Sequence, residues 1–189
     1  MPVTEERLRV LKANNEESHL EAMACIKEAL ITLLQQKPYS DITMTEIIKK
    51  SGVSRSGVYK NYKGKDEIML DIYNEPIDDV ISALGPSVME NIEMIFTTGK
   101  KHQKVFMTII NAGLEHNILT LMNRRFEDVS VSFYIPMWNG IIYNAFFEWV
   151  RTGMAESVDA VLERVKDGLR LLARSIDADL TNSTQNKRL

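Results

Sequence analysis

Cysteine is nearly missing from this 189-residue chain, and Cys25, standing alone, excludes any intramolecular disulfide. Beside Met23 and Ile26 in a helical pattern, it reads as a small reduced core thiol, with a redox sensor as the alternative. Long apolar runs are missing too, and none approaches the roughly 20 residues that a membrane helix needs. The N-terminus carries Glu5, Glu6, Arg7 and Arg9 where a secretory signal would have its apolar core. A cytoplasmic protein with no membrane partner is therefore expected. The chain also lacks a phosphate-cradling glycine loop, a metal-ligand cluster and any nucleophile–base constellation. His102 and His116, fourteen positions apart, make a poor metal site. No enzyme and no cofactor are expected.

Charge of one sign is scarce as well. The net charge is only −3, so the molecule as a whole is not a polycation. What bases there are cluster. Lys49, Lys50, Arg55, Lys60, Lys63 and Lys65 follow one another with no Asp or Glu between Ile47 and Lys65. Such a local excess suits phosphate, because Lys and Arg displace the counterions condensed on DNA. A solvated face on an ordinary helical hairpin would carry the same charges. Hydrophobic content of 44% and charged content of 26% are those of a globular protein with one or two domains and a real core.

The stretch from Thr43 to Lys65 has an internal grammar. Thr43 stands three residues before Glu46, a capping box in which each side chain satisfies the other's unpaired backbone N–H. Ile47 and Ile48 supply an apolar face, and Gly52 is the expected stop, since glycine takes the left-handed backbone without steric cost. Ser54 can cap a second segment to about Tyr62, with Val53, Val58 and Tyr62 turned inward. Two short helices around a glycine turn describe a helix-turn-helix whose second helix enters the DNA major groove.

Residues 18–75 resemble the DNA-binding region of the TetR (tetracycline-repressor-like) transcriptional regulators. The resemblance rests on Ile42, Thr43, Ile47, Gly52, Val53, Ser54, Tyr59, Tyr62 and Lys65 within ITMTEI and GVSRSGVYKNYKGKDEIM. Ile48 and Ser51 depart from the alanines usual there, and Gly57 stands where Thr is common. The family likeness implies that Tyr59 and Lys65 hold phosphates. From the residues themselves, Arg55 has the reach to bond a guanine edge, with Ser56 beside it, while Gly57 lets the backbone approach closely. Thr43, Thr45, Lys60, Asn61 and Lys65 are phosphate candidates, the last together with the N-terminal amides of its helix.

The fold class expected is all-α: a three-helix DNA-binding head with the helix-turn-helix, plus a helical ligand-binding and dimerisation body. Residues 1–64 form the head, 65–176 the body and 177–189 a polar, disordered tail. Residues 1–15 read as a frayed lead-in, with Arg7, Arg9 and Lys12 as a possible minor-groove arm. Helical patterns cover about 18–36, 87–98, 102–115, 118–126, 128–151 and 157–176, and a further helix begins at Lys65, with Pro76 as a kink and Gly85-Pro86 as its end.

Apolar stripes on the last two segments place Trp138, Ile142, Phe146, Trp149, Val158, Leu162, Val165, Leu169 and Leu172 on facing seams. The resemblance implies that two such helices per subunit form a homodimer, so that a pair of heads reads a palindromic operator in double-stranded DNA. The same stripes could instead fill the monomer core. The resemblance further implies a pocket for an unidentified small-molecule effector. Phe106, Ile110, Leu114, Met122, Phe126, Tyr134, Trp138 and Tyr143 are candidate lining, each able to be plain core. Most of these readings converge on a ligand-switched, sequence-specific regulator, which the resemblance implies is a repressor; a coregulator whose body binds a protein partner is the alternative.

Overall fold

The structure is a computed structural model describing residues 5–85, 87–125 and 134–186. Among these residues there are helices and turns but no strand. The helices are α1 (Glu5–Leu34), α2 (Met44–Ser51), α3 (Arg55–Asn61), α4 (Lys65–Ala83), α5 (Val88–Lys101), α6 (Gln103–Asn111), α7 (His116–Arg124), α8 (Tyr134–Arg151) and α9 (Val158–Asn186). They form two compact units. Unit 1 comprises residues 1–78 and 108–114, and unit 2 comprises residues 79–107 and 115–189.

In unit 1, α1 packs against α2 and α3. Ile26 and Leu30 of α1, Ile42, Ile47 of α2, Val58 of α3, and Ile68 and Ile72 of α4 are all buried. Fully burying side chains of this size is worth about 1.5–3 kcal/mol each before entropy is counted. Tyr73 donates its hydroxyl to the Leu114 carbonyl at 3.0 Å, and Gln35 donates to buried Thr108 at 3.3 Å. Both bonds fasten the 108–114 segment to the helices of the head.

In unit 2, α5 packs against α9 and α7 against α8. Its interior is a cluster of rings. Phe146 stands edge-on to Phe96 at 5.7 Å and to Phe106 at 4.8 Å, and Phe96 lies 5.6 Å from Trp149. Phe147 extends the cluster to Phe106 and Tyr143. The loop between α8 and α9 is tied down from several sides. Lys100 donates to the Met154 carbonyl at 2.8 Å, Gln103 to Gly153 at 3.2 Å, and the Trp149 indole to Glu156 at 3.2 Å. Gly153 and Met154 are both left-handed there, and the Met154 side chain is buried. Burial of a long apolar side chain offsets the strain of that backbone.

Four expectations are corrected. α1 is one helix from Glu5, not a frayed lead-in followed by a second segment, because nothing between Glu5 and Leu34 breaks it. Cys25 is exposed, since the inward face of α1 at this level is carried by Ile26, Ala29 and Leu30. The break expected between residues 98 and 102 is not at Gly99, which lies inside α5, a helix ending at Lys101 with His102 as its cap. α9 runs on to Asn186, into the stretch 177–189 expected to be a disordered tail, which contains neither glycine nor proline.

Gly99 is inside a helix for a packing reason. A Cβ there would fall 2.1 Å from Cε2 of Phe146. That ring packs edge-on against Phe106 at 4.8 Å and Trp149 at 6.2 Å, so moving it disturbs the cluster. Gly99→Ala is therefore expected to destabilise the protein by about 1–3 kcal/mol, despite the higher helix propensity of alanine, read as a fall in the thermal midpoint.

Candidate DNA-binding site

The local signals for the helix-turn-helix are present as bonds. Thr43 accepts the Glu46 N–H at 3.3 Å, and the Glu46 carboxylate accepts the Thr43 N–H at 3.0 Å. Gly52 caps α2 with φ +70°. Ser54 accepts the Gly57 N–H at 3.1 Å and so caps α3. Val58 and Tyr62 are buried, and Val53 is half-buried. Ser51, where the family usually has alanine, stitches the turn: it donates to the Ile48 carbonyl at 3.1 Å and accepts the Val53 N–H at 3.2 Å. Serine's known habit of bonding neighbouring backbone could have flagged this role from the sequence.

The outer face of α3 is open. Arg55, Ser56, Tyr59 and Lys60 are exposed, as are Thr45, Lys49, Lys50 and Lys63. Gly57 is half-buried, and a Cβ there would lie 2.9 Å from Cγ1 of Val53. Glycine at this position thus serves close packing against the turn. Asn61 donates its amide to the Gly57 carbonyl at 2.8 Å, and the Thr43 hydroxyl donates to Glu46 at 2.8 Å. Both phosphate candidates therefore already have an internal acceptor.

Lys65 is placed differently from expectation. Its ammonium donates to the carbonyls of Tyr39 at 2.7 Å, Ile42 at 2.9 Å and Ser40 at 3.2 Å, and it lies 4.5 Å from the Tyr39 ring centroid. All three N–H donors have internal acceptors. The Glu67 carboxylate accepts the Lys63 N–H at 2.7 Å just ahead of α4. The lysine that the resemblance assigns to phosphate is here a clasp between the start of α4 and the loop before α2.

Other polar contacts brace the same assembly and had no local sequence signal, because their partners are far apart in the chain. Lys37 bonds both Glu46 oxygens, at 2.7 and 2.8 Å. Tyr39 donates to Asp66, and burial and then that carboxylate push its phenol pKa up. Tyr62, at the end of α3, donates to Asp71 at 2.5 Å, and burial followed by this bond raises its phenol pKa likewise. Lys27 of α1 lies 2.5 Å from Glu75 and 3.7 Å from Asp71. Through these pairs α4 is bonded to both α1 and α3.

The candidate ligand residues do not gather into one described cavity. Phe106 is buried in the ring cluster of unit 2, against Phe146 and Phe147. Ile110 and Leu114 belong to unit 1, while Met122, Trp138 and Tyr143 belong to unit 2, all half-buried. Phe126 and the Tyr134 side chain lie outside the described residues.

A groove of about 310 Å³ runs instead between α8 and α9. Its lining includes Trp149, Val165, Leu169 and Leu172 from the predicted seams, together with Ile141, Gly168 and Arg164, which the seams did not include. Ile142, Phe146 and Leu162 are buried within unit 2 and do not line the groove. Trp138 and Val158 are half-buried and do not line the groove.

Two outcomes follow from the bracing contacts. The Lys37 ammonium, then the two Thr43 bonds, holds the Glu46 carboxyl near 2 against an ordinary 4.5. A depressed carboxyl contributes stability that is complete above its unfolded value and is lost as the pH falls through the folded one. Wild type should lose this contribution between about pH 4.5 and pH 2, and Glu46→Gln should be less stable at neutral pH and show no such loss in an acid titration followed by circular dichroism. For Lys65→Ala, the thermal midpoint should fall while the slope of log affinity against log salt stays unchanged. A slope smaller by about one would restore its phosphate role.

Comparison with known proteins agrees with the geometry. The family model described as "Bacterial regulatory proteins, tetR family" matches residues 26–72, the span from the inward face of α1 through α3 into α4. The Uncharacterized HTH-type transcriptional regulator YxbF of Bacillus subtilis (strain 168) is 32% identical over 106 residues, which is 55% of this chain. The chain spans only 27% of that relative's length. A TetR transcriptional regulator from Streptococcus agalactiae 2603V, solved by crystallography, superposes with a TM-score of 0.58 over 82% of this chain and 96% of its own. At 16% identity this last likeness speaks for the all-helical fold alone. The capped α2, the left-handed Gly52 and the basic α3 all fall inside the matched span, so residues 26–72 form a helix-turn-helix region similar to that of the tetR family.

Proposed function

We propose that the protein is a homodimeric, sequence-specific binder of double-stranded DNA that regulates transcription from a palindromic operator. The observation that carries this reading is the outer face of α3. Arg55, Ser56, Tyr59 and Lys60 stand exposed there, flanked by Lys49, Lys50 and Lys63. Arg55 is assigned to a guanine edge, Ser56 to an adjoining base, and Tyr59, Lys60 and Thr45 to phosphates. One short helix binds weakly by itself, and two-fold pairing lets two copies read successive major grooves. The α8–α9 groove supports that pairing. It is apolar along Trp149, Val161, Val165 and Leu169, and Leu172 is 48% exposed at its edge. A dimer seated across a promoter blocks polymerase, so repression in the cytoplasm is the simplest output.

Control by a small apolar ligand acting through α4 is part of the same proposal. Its support is that α4 begins in unit 1 and ends in unit 2, so one helix carries residues of both. A ligand moves such an equilibrium only through its differential affinity for the two states. The packed rings around Phe146 favour a second reading, in which a protein partner replaces the ligand. A compound that binds the protein without changing operator affinity would sink ligand control.

Selection from a random DNA pool should recover two inverted half-sites with centres one helical turn, about 10 bp, or a multiple of it apart. Arg55→Ala should lose about 1–3 kcal/mol of preference at one base pair of each half-site while retaining non-specific binding. Leu169→Arg and Leu172→Glu should shift the sedimentation coefficient to that of a monomer and weaken operator binding by at least about tenfold. Asymmetric recovered sites, or a wild-type monomer that binds them fully, overturn the dimer.

A further inference from the structure

We propose that Tyr59 is a positioning residue for Arg55, its ring holding the guanidinium in the orientation that reads a base. This role rests on the assignment of Arg55 to base readout and differs from the phosphate contact that the family likeness implies for Tyr59. The guanidinium carbon of Arg55 lies 5.4 Å from the Tyr59 ring centroid, within the range of a cation–π contact. Arg55 opens α3, and Tyr59 stands four residues on, so the two side chains share one face of the helix. Gly57 between them adds no side chain, and Ser56 faces the cap, its hydroxyl 3.2 Å from that of Ser54. Both partners are exposed, with Tyr59 at 42%.

The physical need is plain. An exposed arginine carries large rotamer entropy, and ordering it on the DNA reduces the discrimination that a bidentate guanine contact supplies. A flat ring 5.4 Å from the guanidinium carbon restricts the arginine beforehand. Stacking uses the faces of both groups, whereas base readout uses the edge, so the two do not compete. The Tyr59 backbone is in turn anchored by its neighbour Val58, which is fully buried.

The test uses the full-length protein, the DNA sequence selected from a random pool, and single-base-pair variants of that DNA, with binding read by fluorescence anisotropy. Arg55→Ala identifies the base pair that Arg55 reads. Tyr59→Leu should reduce discrimination at that same base pair about two- to fivefold, the range of an exposed cation–π contact. Tyr59→Phe and Tyr59→Trp keep a ring and should keep the discrimination, while loss of the hydroxyl weakens all sequences alike. Adding Tyr59→Leu to Arg55→Ala should cost no further discrimination. Thermal melts confirm folding of each variant, and the Phe and Trp variants carry the test should the Leu variant unfold.

Full discrimination in a folded Tyr59→Leu protein overturns the proposal. So does an equal loss in the Phe and Leu variants, which would assign the effect to the hydroxyl. Should Arg55→Ala leave every preference intact, the base-reading assignment itself fails, a result distinct from either.

Discussion

The three bonds of the Lys65 ammonium to the carbonyls of Tyr39, Ser40 and Ile42 close a ring of chain around the DNA-binding helices. Everything between Pro38 and Lys65 lies inside that ring: the capped start of α2, the left-handed Gly52, and α3. A seven-residue helix such as α3 cannot hold itself together in water, since nucleation alone outweighs the few bonds it makes. It persists because Val58 is buried beneath it, Ser54 caps it, and its last residue leads into a helix clasped to the loop that precedes α2. The clasp places a buried-edge charge where each N–H has an acceptor, the condition under which such a group stabilises a fold.

That arrangement separates the bases of the head into two kinds. Lys37 and Lys65 face carboxylate or carbonyl oxygens of their own chain and set the shape of the domain. Lys49, Lys50, Arg55, Lys60 and Lys63 stand at the surface. The first kind determines where the second kind is displayed to solvent. The Tyr39–Asp66 and Tyr62–Asp71 pairs extend the same logic into α4. Since Lys27 reaches Asp71 and Glu75 from α1, a displacement of α4 disturbs contacts to α1 and α3 together. Unit 2 uses another device, interlocking rings around Phe146 that demand a glycine at position 99.

Much of the head was legible in the chain because its signals are local. A capping box, a serine cap and a left-handed glycine each act across three or four residues, so spacing alone states them. Burial of Val58 and Tyr62 followed from helical period. The family likeness, read over residues 18–75, encloses the span 26–72 that the family model matches. Position by position, however, it did not foresee the carbonyl bonds of Lys65, which depend on where residues 39–42 come to lie. Lys37 and Glu46 likewise meet only because α1 packs on α2.

The amino-acid order by itself determined the all-helical class, the position of the helix-turn-helix and the basic character of its outer face, since each depends on period, caps and nearest-neighbour charge. Tertiary packing decided which groups remain available. It exposed Cys25, drew Phe106, Ile142, Phe146 and Leu162 into the core, left the α8–α9 groove open and captured Lys65. Those outcomes turn on contacts between residues tens of positions apart. A helical stripe states which residues share a face, but only a neighbouring element determines whether that face is covered.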